Sequence, residues 1–212
     1  MTQQTEIWRG QFGKDYTDRN PHTVEELDAI YEKRFGLTRT AMNRMFLGEL
    51  PRTLKILEVG CGVGTQLRAL ETMGFRDLHG MDVQPYAVQE AIRCNPELDI
   101  CEGSAFDIPW AGGSFDLVFT SGVLIHIAPS DLPIVLGEIC RCSSKYIWGF
   151  EYFADEWTTI NYRGHVDLLW KADYAREYFK RFSARILDER YFDYKDGSGN
   201  RDCMFLLKKG GT

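Results

Sequence analysis

Residues 54–64 read Leu54-Lys55-Ile56-Leu57-Glu58-Val59-Gly60-Cys61-Gly62-Val63-Gly64. The run Leu54 to Val59 carries the aliphatic density of a buried strand, and the glycines after it turn the chain into a helical stretch that ends at Gly74. Glycine lets backbone approach a ligand where a Cβ would collide, and the helix start adds amide donors at that point. This is one strand-loop-helix unit. Toward the C-terminus the rhythm repeats: a strand over 77–82, a helix over 85–94 opened by Pro85, and a short strand over 98–101. A fourth strand covers 115–120, Ser130 caps a helix reaching about Cys140, and a fifth strand covers 146–150.

Five strands alternating with helices imply a parallel sheet covered on both faces by right-handed crossovers. A ligand crevice is expected beyond the C-terminal ends of such strands. After Phe150 the alternation pauses in a polar-aromatic stretch to about Lys171, then resumes with a helix over 173–181. Strands over 186–192 and 203–208 follow, joined as a hairpin through Asp196-Gly197-Ser198-Gly199. On the N-terminal side, Thr23-Val24-Glu25-Glu26 offers a capping box, with Leu27, Ile30, Tyr31 and Phe35 at helical spacing up to Gly36, and a second helix over 38–48.

The chain has 212 residues, 44% hydrophobic and 26% charged, which is ordinary globular usage and excludes disorder as the dominant state. A net charge of −6 supplies no basic stripe for nucleic acid, so none is expected as a partner. The longest uncharged run that matters, Leu117 to Ser130, has fourteen residues. A bilayer span needs roughly eighteen, so no membrane partner is expected. The start, MTQQTEIWRG, shows no secretory pattern, which makes a cytoplasmic location the expectation. Six cysteines contain no CxxC pair, and Cys140-x-Cys142 is too tight for a zinc knuckle. No metal is therefore expected, and the cysteines read as buried free thiols.

The glycine loop carries the cofactor argument. A dinucleotide fingerprint needs G-x-G-x-x-G, but Thr65 follows Gly64, so the third glycine comes one residue early. Asp82 ends the second strand twenty residues beyond Gly62, where a carboxylate can accept both hydroxyls of an adenosine ribose. Glu58, two residues before the first glycine, would repel a pyrophosphate but suits a cofactor carrying ammonium and sulfonium charge, as S-adenosylmethionine does. A nicotinamide-dependent oxidoreductase is the nearest rival, disfavoured by Thr65 and Glu58; a non-catalytic S-adenosylmethionine-binding protein is the rival from another class. A base-modifying nucleic-acid methylase would carry an Asn/Asp-Pro-Pro-aromatic motif after the fourth strand, where Thr120-Ser121-Gly122-Val123 stands instead.

With E-x-G-x-G-x-G at 58–64, Gly80-Met81-Asp82, Gly103-Ser104-Ala105-Phe106-Asp107-Ile108-Pro109-Trp110 and Ser114-Phe115-Asp116-Leu117-Val118-Phe119, the sequence resembles the class I S-adenosylmethionine-dependent methyltransferases. The resemblance implies a Rossmann-like, seven-stranded, mostly parallel sheet with helices on both faces and a C-terminal antiparallel hairpin. It implies S-adenosylmethionine contacts from Glu58, Gly60, Cys61, Gly62, Asp82, Val83, Ser104, Ala105, Phe106, Ser121 and Tyr16, with Asp82 on the ribose, Val83 flanking the adenine and 104–106 along its edge. Many relatives carry Asp where this chain has Ser104, whose hydroxyl accepts more weakly. Phe12 to Asn20, Gly122 to Ile127, Glu138 to Ser143 and Asn161-Tyr162-Arg163-Gly164-His165 further resemble the methylases associated with pseudaminic acid biosynthesis. That likeness implies a small polar acceptor, such as a sugar acid or nucleotide sugar.

Residues 1–52 then read as a helical lid, with Trp8, Phe12 and Tyr16 excluding water, and 53–212 as the methyltransferase domain. Methyl transfer demands mainly collinear donor and acceptor, with a base only for a protonated acceptor. His126, after the fourth strand, and His165 are the candidate bases. Arg163 is a clamp for an acceptor carboxylate or phosphate, and Glu151 could orient an amine or hydroxyl.

Overall fold

The protein is described here from a computed structural model covering residues 2–210. Four helices come first: Gln3–Arg9 (α1), Gln11–Arg19 (α2), Val24–Phe35 (α3) and Arg39–Leu47 (α4). The alternating part follows as Lys55–Val59 (β1), Thr65–Thr72 (α5), Asp77–Asp82 (β2), Pro85–Cys94 (α6), Asp99–Glu102 (β3), Phe115–Ser121 (β4), Leu132–Cys142 (α7) and Ser143–Tyr152 (β5). A 3₁₀ turn, Leu124–His126, lies between β4 and α7. The chain ends with Thr158–Thr159 (β6), Trp170–Lys171 (β7), Tyr174–Phe179 (α8), Ala184–Asp193 (β8) and Arg201–Lys209 (β9). Seven strands form one sheet in the order β3-β2-β1-β4-β5-β9-β8, and β6 pairs with β7 apart from it. The β1–β2, β2–β3 and β4–β5 pairs are parallel, whereas β5–β9 and β8–β9 are antiparallel. The mostly parallel sheet and its closing antiparallel pair are those read from the sequence.

Two compact units divide the chain, Met1–Ser104 and Ala105–Thr212. In the first, Ile56, Leu57 and Val59 of β1 are all buried, so successive residues that point to opposite faces both meet packing. Local chemistry sets the helix ends. Thr23 and Glu26 form the capping box reciprocally, Oγ1 accepting from Glu26 N and Oε2 accepting from Thr23 N, both at 3.2 Å. Gly36 stops α3 in the left-handed conformation at φ 78°. Thr38 caps α4 by accepting from Ala41 N at 3.1 Å.

In the second unit β4 and β5 are buried almost throughout, and α7 packs against both. Gly149 of β5 stands directly opposite Phe205 of β9, and a Cβ built on that glycine would fall 2.1 Å from the ring Cζ. The missing side chain is the space the Phe205 ring occupies. Strand β8 lies at the edge and leaves Ile186, Leu187 and Tyr191 exposed.

Some elements differ from the reading of the sequence. Within the helical segment read over 1–52, the aromatic stretch before Thr23 forms two separate helices, because Thr2 accepts from Thr5 N at 3.2 Å to start α1 and Gly10 breaks α1 from α2. Ser130 does not cap the following helix: α7 starts at Leu132, with Pro133 in its first turn, and the Ser130 hydroxyl lies only in an exposed turn beside Asp131. The polar-aromatic stretch contains the β6–β7 pair. All six thiols are free, but Cys94 is exposed and Cys101 half-buried, since they end α6 and line β3 rather than facing a core. Replacing Gly149 by alanine is expected to destabilise the protein by about 1–3 kcal/mol through overpacking. Phe205→Ala should cost about 3–5 kcal/mol. The two effects should not add, and urea titration of the single and double variants measures the shortfall.

Candidate active site

The C-terminal ends of β1 and β2 meet in the glycine loop. Gly60 N and Cys61 N both donate to Met81 O, at 2.8 and 2.9 Å, and so bind the loop to the end of β2. Asp82 completes the junction: Oδ2 accepts from Gly62 N and Oδ1 from Gln84 N, each at 2.8 Å. Burial pushes its carboxyl up from the ordinary value, and the backbone N–H groups of Gln84, Gly62 and Val83 oppose that rise. Gly64 adopts φ 80° at the start of α5, and Gly62, at φ 54°, has nothing within 4 Å of where a Cβ would stand. The loop is therefore tied down from behind and open in front.

Glu58, in β1 two residues before this loop, is 2% exposed, with Oε2 lacking a hydrogen-bond partner. Burial pushes its carboxyl well up; Arg39 opposes the shift and Asp82 adds to it. A buried carboxylate oxygen without a partner costs about 1–3 kcal/mol or more, and a bound cation would remove that cost. An orphaned carboxyl oxygen two residues before an open glycine loop fits the ammonium-bearing end of S-adenosylmethionine, which would favour its ionised form, and Asp82 at the end of β2 fits its ribose.

Arg39 is the site's residue that the sequence reading missed. It is 1% exposed, with Nε donating to Asn43 Oδ1 and Nη1 donating to the Tyr31 hydroxyl, both at 3.0 Å. The available signal was position: Arg39 shares the buried stripe of α4 with Met42, Asn43, Phe46 and Leu47. A charge on an apolar stripe needs a polar reason to be there. Tyr16 is half-buried on α2 with its ring edge-on to Trp8, 5.0 Å between centroids, and Val83 follows Asp82. Ser104 closes the first unit; Ala105 and Phe106 open the second in a half-buried turn, and Ser121 ends β4.

The second unit gathers a different set. Glu151, 1% exposed near the end of β5, accepts from Val123 N at 3.3 Å and from Ile125 N at 3.4 Å. Burial raises its pKa to about 7, against the Thr120 hydroxyl and the N–H groups of residues 123–125. Glu151 is thus the clamp on the turn after β4. His126 ends that turn, and its Nδ1 lies 2.6 Å from Leu168 O. A carbonyl only accepts, so the proton sits on Nδ1. Burial lowers the His126 pKa to about 4, with the Leu168 carbonyl working against the shift.

The Tyr162 ring packs beside His126 at 5.3 Å between centroids, and Tyr162 pairs with His165 through N–H···O bonds of 2.8 and 3.0 Å. Between them Arg163 and Gly164 form the reverse turn, at φ 51° and 89°. The left-handed conformation costs a non-glycine residue about 1–2 kcal/mol. Arg163 and His165 are both exposed. Within this unit the structure brings Glu151, His126 and Tyr162 together, and places His165 and Arg163 beyond Tyr162 on the turn.

A seven-stranded sheet of this order, with a glycine loop after its first strand and a carboxylate closing its second, defines a Rossmann-like methyltransferase fold. Residues 57–145 match the family described as a methyltransferase domain. That segment is thus similar to a methyltransferase domain, and the cofactor such a domain indicates is S-adenosylmethionine. It is 30% identical over 124 residues to a demethylmenaquinone methyltransferase of Beutenbergia cavernae, covering 53% of this chain and 51% of that one. It is 33% identical over 112 residues to a ubiquinone biosynthesis O-methyltransferase of Azorhizobium caulinodans, covering 48% and 44%. The chain spans about half the length, or less, of the curated relatives it matches. A solved S-adenosylmethionine-dependent methyltransferase from Leishmania major shares the fold with a TM-score of 0.73 at 17% identity, over 98% of this chain and 87% of that one. Among the described residues no group of three His, Cys, Asp or Glu could hold a metal ion, and no helix is long and apolar enough to cross a membrane.

Two buried titrating groups of the second unit, His126 and Glu151, pull stability in opposite directions with pH. His126 ionises near 4 in the folded protein and near its ordinary 6.5 when unfolded, so acidification across that window favours unfolding. Glu151 ionises near 7 when folded and near 4.5 when unfolded, so the folded form holds the extra proton and stability falls as pH rises through that window. The Glu151→Gln variant should therefore lose stability on acidification by up to about 1.4 kcal/mol per pH unit. His126→Gln should lose it on going from acid to neutral pH. Urea midpoints measured across pH 4–7.5 test both slopes, and two parallel profiles would contradict the assignment.

Proposed function

We propose that the protein transfers a methyl group from S-adenosylmethionine to a small polar acceptor, of which a sugar acid or nucleotide-sugar intermediate is the class favoured. The observation that carries this reading is the orphaned Glu58 oxygen just before an open glycine loop that Asp82 holds at Gly62. When bound, S-adenosylmethionine supplies an electrophilic methyl carbon on a sulfonium. In this reading Glu58 takes the cationic amino-acid end, Gly60, Cys61 and Gly62 line the approach, and Asp82 accepts from the ribose hydroxyls. Val83, Ser104, Ala105 and Phe106 border the adenine, with Ser121 and Tyr16 as further contacts. Residues 1–52 serve as the lid.

The second unit takes the acceptor. Its carboxylate or phosphate is held by Arg163, whose left-handed backbone is a local strain of the kind that collects at ligand sites. His126 is neutral near pH 7 and weakly basic, so it shapes the turn after β4 through Leu168, while His165, exposed two residues from Arg163, is the base for an acceptor that arrives protonated. Glu151 orients the acceptor indirectly, through residues 123–125. The likeness of 161–165 to the methylases associated with pseudaminic acid biosynthesis supports the sugar-acid class. Six free thiols suit a reducing compartment such as the cytoplasm.

Calorimetric titration with S-adenosylmethionine tests the cofactor half. Asp82→Ala should weaken binding by at least about 100-fold, the loss of roughly two charge-assisted hydrogen bonds. His165→Ala should leave affinity intact while turnover disappears, read as S-adenosylhomocysteine released with a panel of sugar nucleotides and small acids. Unchanged affinity in the first variant would defeat the ribose assignment. Tight binding with no release on any acceptor would leave a binding protein in place of an enzyme. A second titration series follows Glu58: a cation prefers its ionised form, so affinity should fall as the pH is lowered through the raised pKa, and Glu58→Gln should flatten that dependence.

A further inference from the structure

Gln84 is an unusual residue to begin a helix. The position before α6 ordinarily takes Ser, Thr, Asp or Asn, whose short side chains accept from the first free amides. Here Gln84 does the capping, its Oε1 accepting from Tyr86 N at 3.1 Å. A hydroxyl or carboxylate would cap as well; what glutamine adds is an N–H₂ group at longer reach. That group is spent on the N-terminal helices: Nε2 donates to Trp8 O at 2.9 Å and to Gly10 O at 3.0 Å. These two carbonyls lie at the end of α1 and in the break before α2. Gly13 makes room for the contact, since a Cβ there would fall 1.8 Å from Trp8 O and 2.8 Å from Gln84 Nε2. Gln84 is 6% exposed, so both hydrogen bonds are shielded from water.

The same residue is held on its other side by the cofactor loop. Asp82 Oδ1 accepts from Gln84 N while Oδ2 accepts from Gly62 N. One residue thus joins the carboxylate at the end of β2 to the α1–α2 joint. Other ties run in parallel: Arg9 pairs with Glu102 of β3 at 2.5 Å, and the Tyr86 hydroxyl donates to Asp18 at 2.9 Å. Each joins the first two helices to an element that shapes the nucleoside side of the site.

We infer that Gln84 is a positioning residue that latches α1 and α2 to the β2–α6 loop, so that cofactor affinity and docking of residues 3–19 are thermodynamically coupled. This rests on the reading of Asp82 as the ribose anchor. Coupling of that kind is reciprocal: whatever docking contributes to cofactor affinity, the cofactor must return as protection of the helices. A purely structural cap would show neither.

The full-length chain carrying Gln84→Glu separates the two roles. A glutamate keeps the acceptor that caps α6 and loses both donors to Trp8 O and Gly10 O. Amide exchange over residues 3–19 is expected to quicken while 85–94 stays unchanged. S-adenosylmethionine should bind about tenfold more weakly, the factor that about 1.4 kcal/mol makes. In the wild type S-adenosylmethionine should slow exchange over 3–19, and in the variant that slowing should shrink. Equal affinity and equal exchange in both proteins would overturn the latch while leaving the cofactor reading intact. A wild type that fails to bind S-adenosylmethionine would overturn the cofactor reading and the coupling together. Should the variant lose its fold, seen as faster exchange throughout Met1–Ser104, Arg9→Glu opposes Glu102 at the surface and must give smaller changes of the same two kinds. No change there would also overturn the inference.

Discussion

One carboxylate organises the first unit. Asp82 accepts from the backbone of the glycine loop with one oxygen and from the start of α6 with the other. A loop built of glycines has little conformational preference of its own, and its entropy opposes any single shape. Two charge-assisted hydrogen bonds from an aspartate at a strand end, with the Gly60 and Cys61 amides on Met81 O, fix that shape before any ligand arrives. Preorganisation of this kind is what lets a glycine loop offer open space at Gly62 and still keep a defined outline. Without the carboxylate the loop would keep its tie to Met81 O but lose the hold on Gly62.

Most of the sheet was legible in the sequence because its strands are short, aliphatic and separated by helices with recognisable starts. The run from Leu54 to Gly64 announces its own strand and turn, and Thr23 with Glu26 announces the start of α3. The first two helices fall within the segment 1–52 that reads as helical, but their individual bounds are not legible. Their buried side is made of Thr5, Gly13 and Thr17, with the aromatic rings of Trp8, Phe12 and Tyr16 packed on one another, so the aliphatic period that marks a helix is missing. Ser130 looks like the cap of α7, but the helix begins at Leu132, where Pro133 fixes the first turn.

The site divides in the same manner. Glu58, the glycines and Asp82 stand at fixed separations along the chain, and their grouping depends only on neighbouring strands being parallel and in register. Arg39 belongs to a helix far earlier in the chain, and its burial follows from packing that no spacing encodes. Glu151 reads in sequence as a group for orienting a ligand; in the structure its oxygens meet the backbone amides of residues 123–125. The burial that pulls His126 far below the range where imidazole acts as a base is likewise a product of the finished fold.

The two-residue turn at Arg163 and Gly164 is a rigid root for an exposed arginine. Tyr162 and His165 are locked together by paired main-chain bonds, and Tyr162 leans on the His126 ring, so the tip has little hinge freedom. The turn fixes where the Arg163 side chain starts, while that exposed side chain keeps its own rotamer freedom. A stiff root under a freely rotating side chain confines the guanidinium to a shell around one fixed point, within reach of several directions.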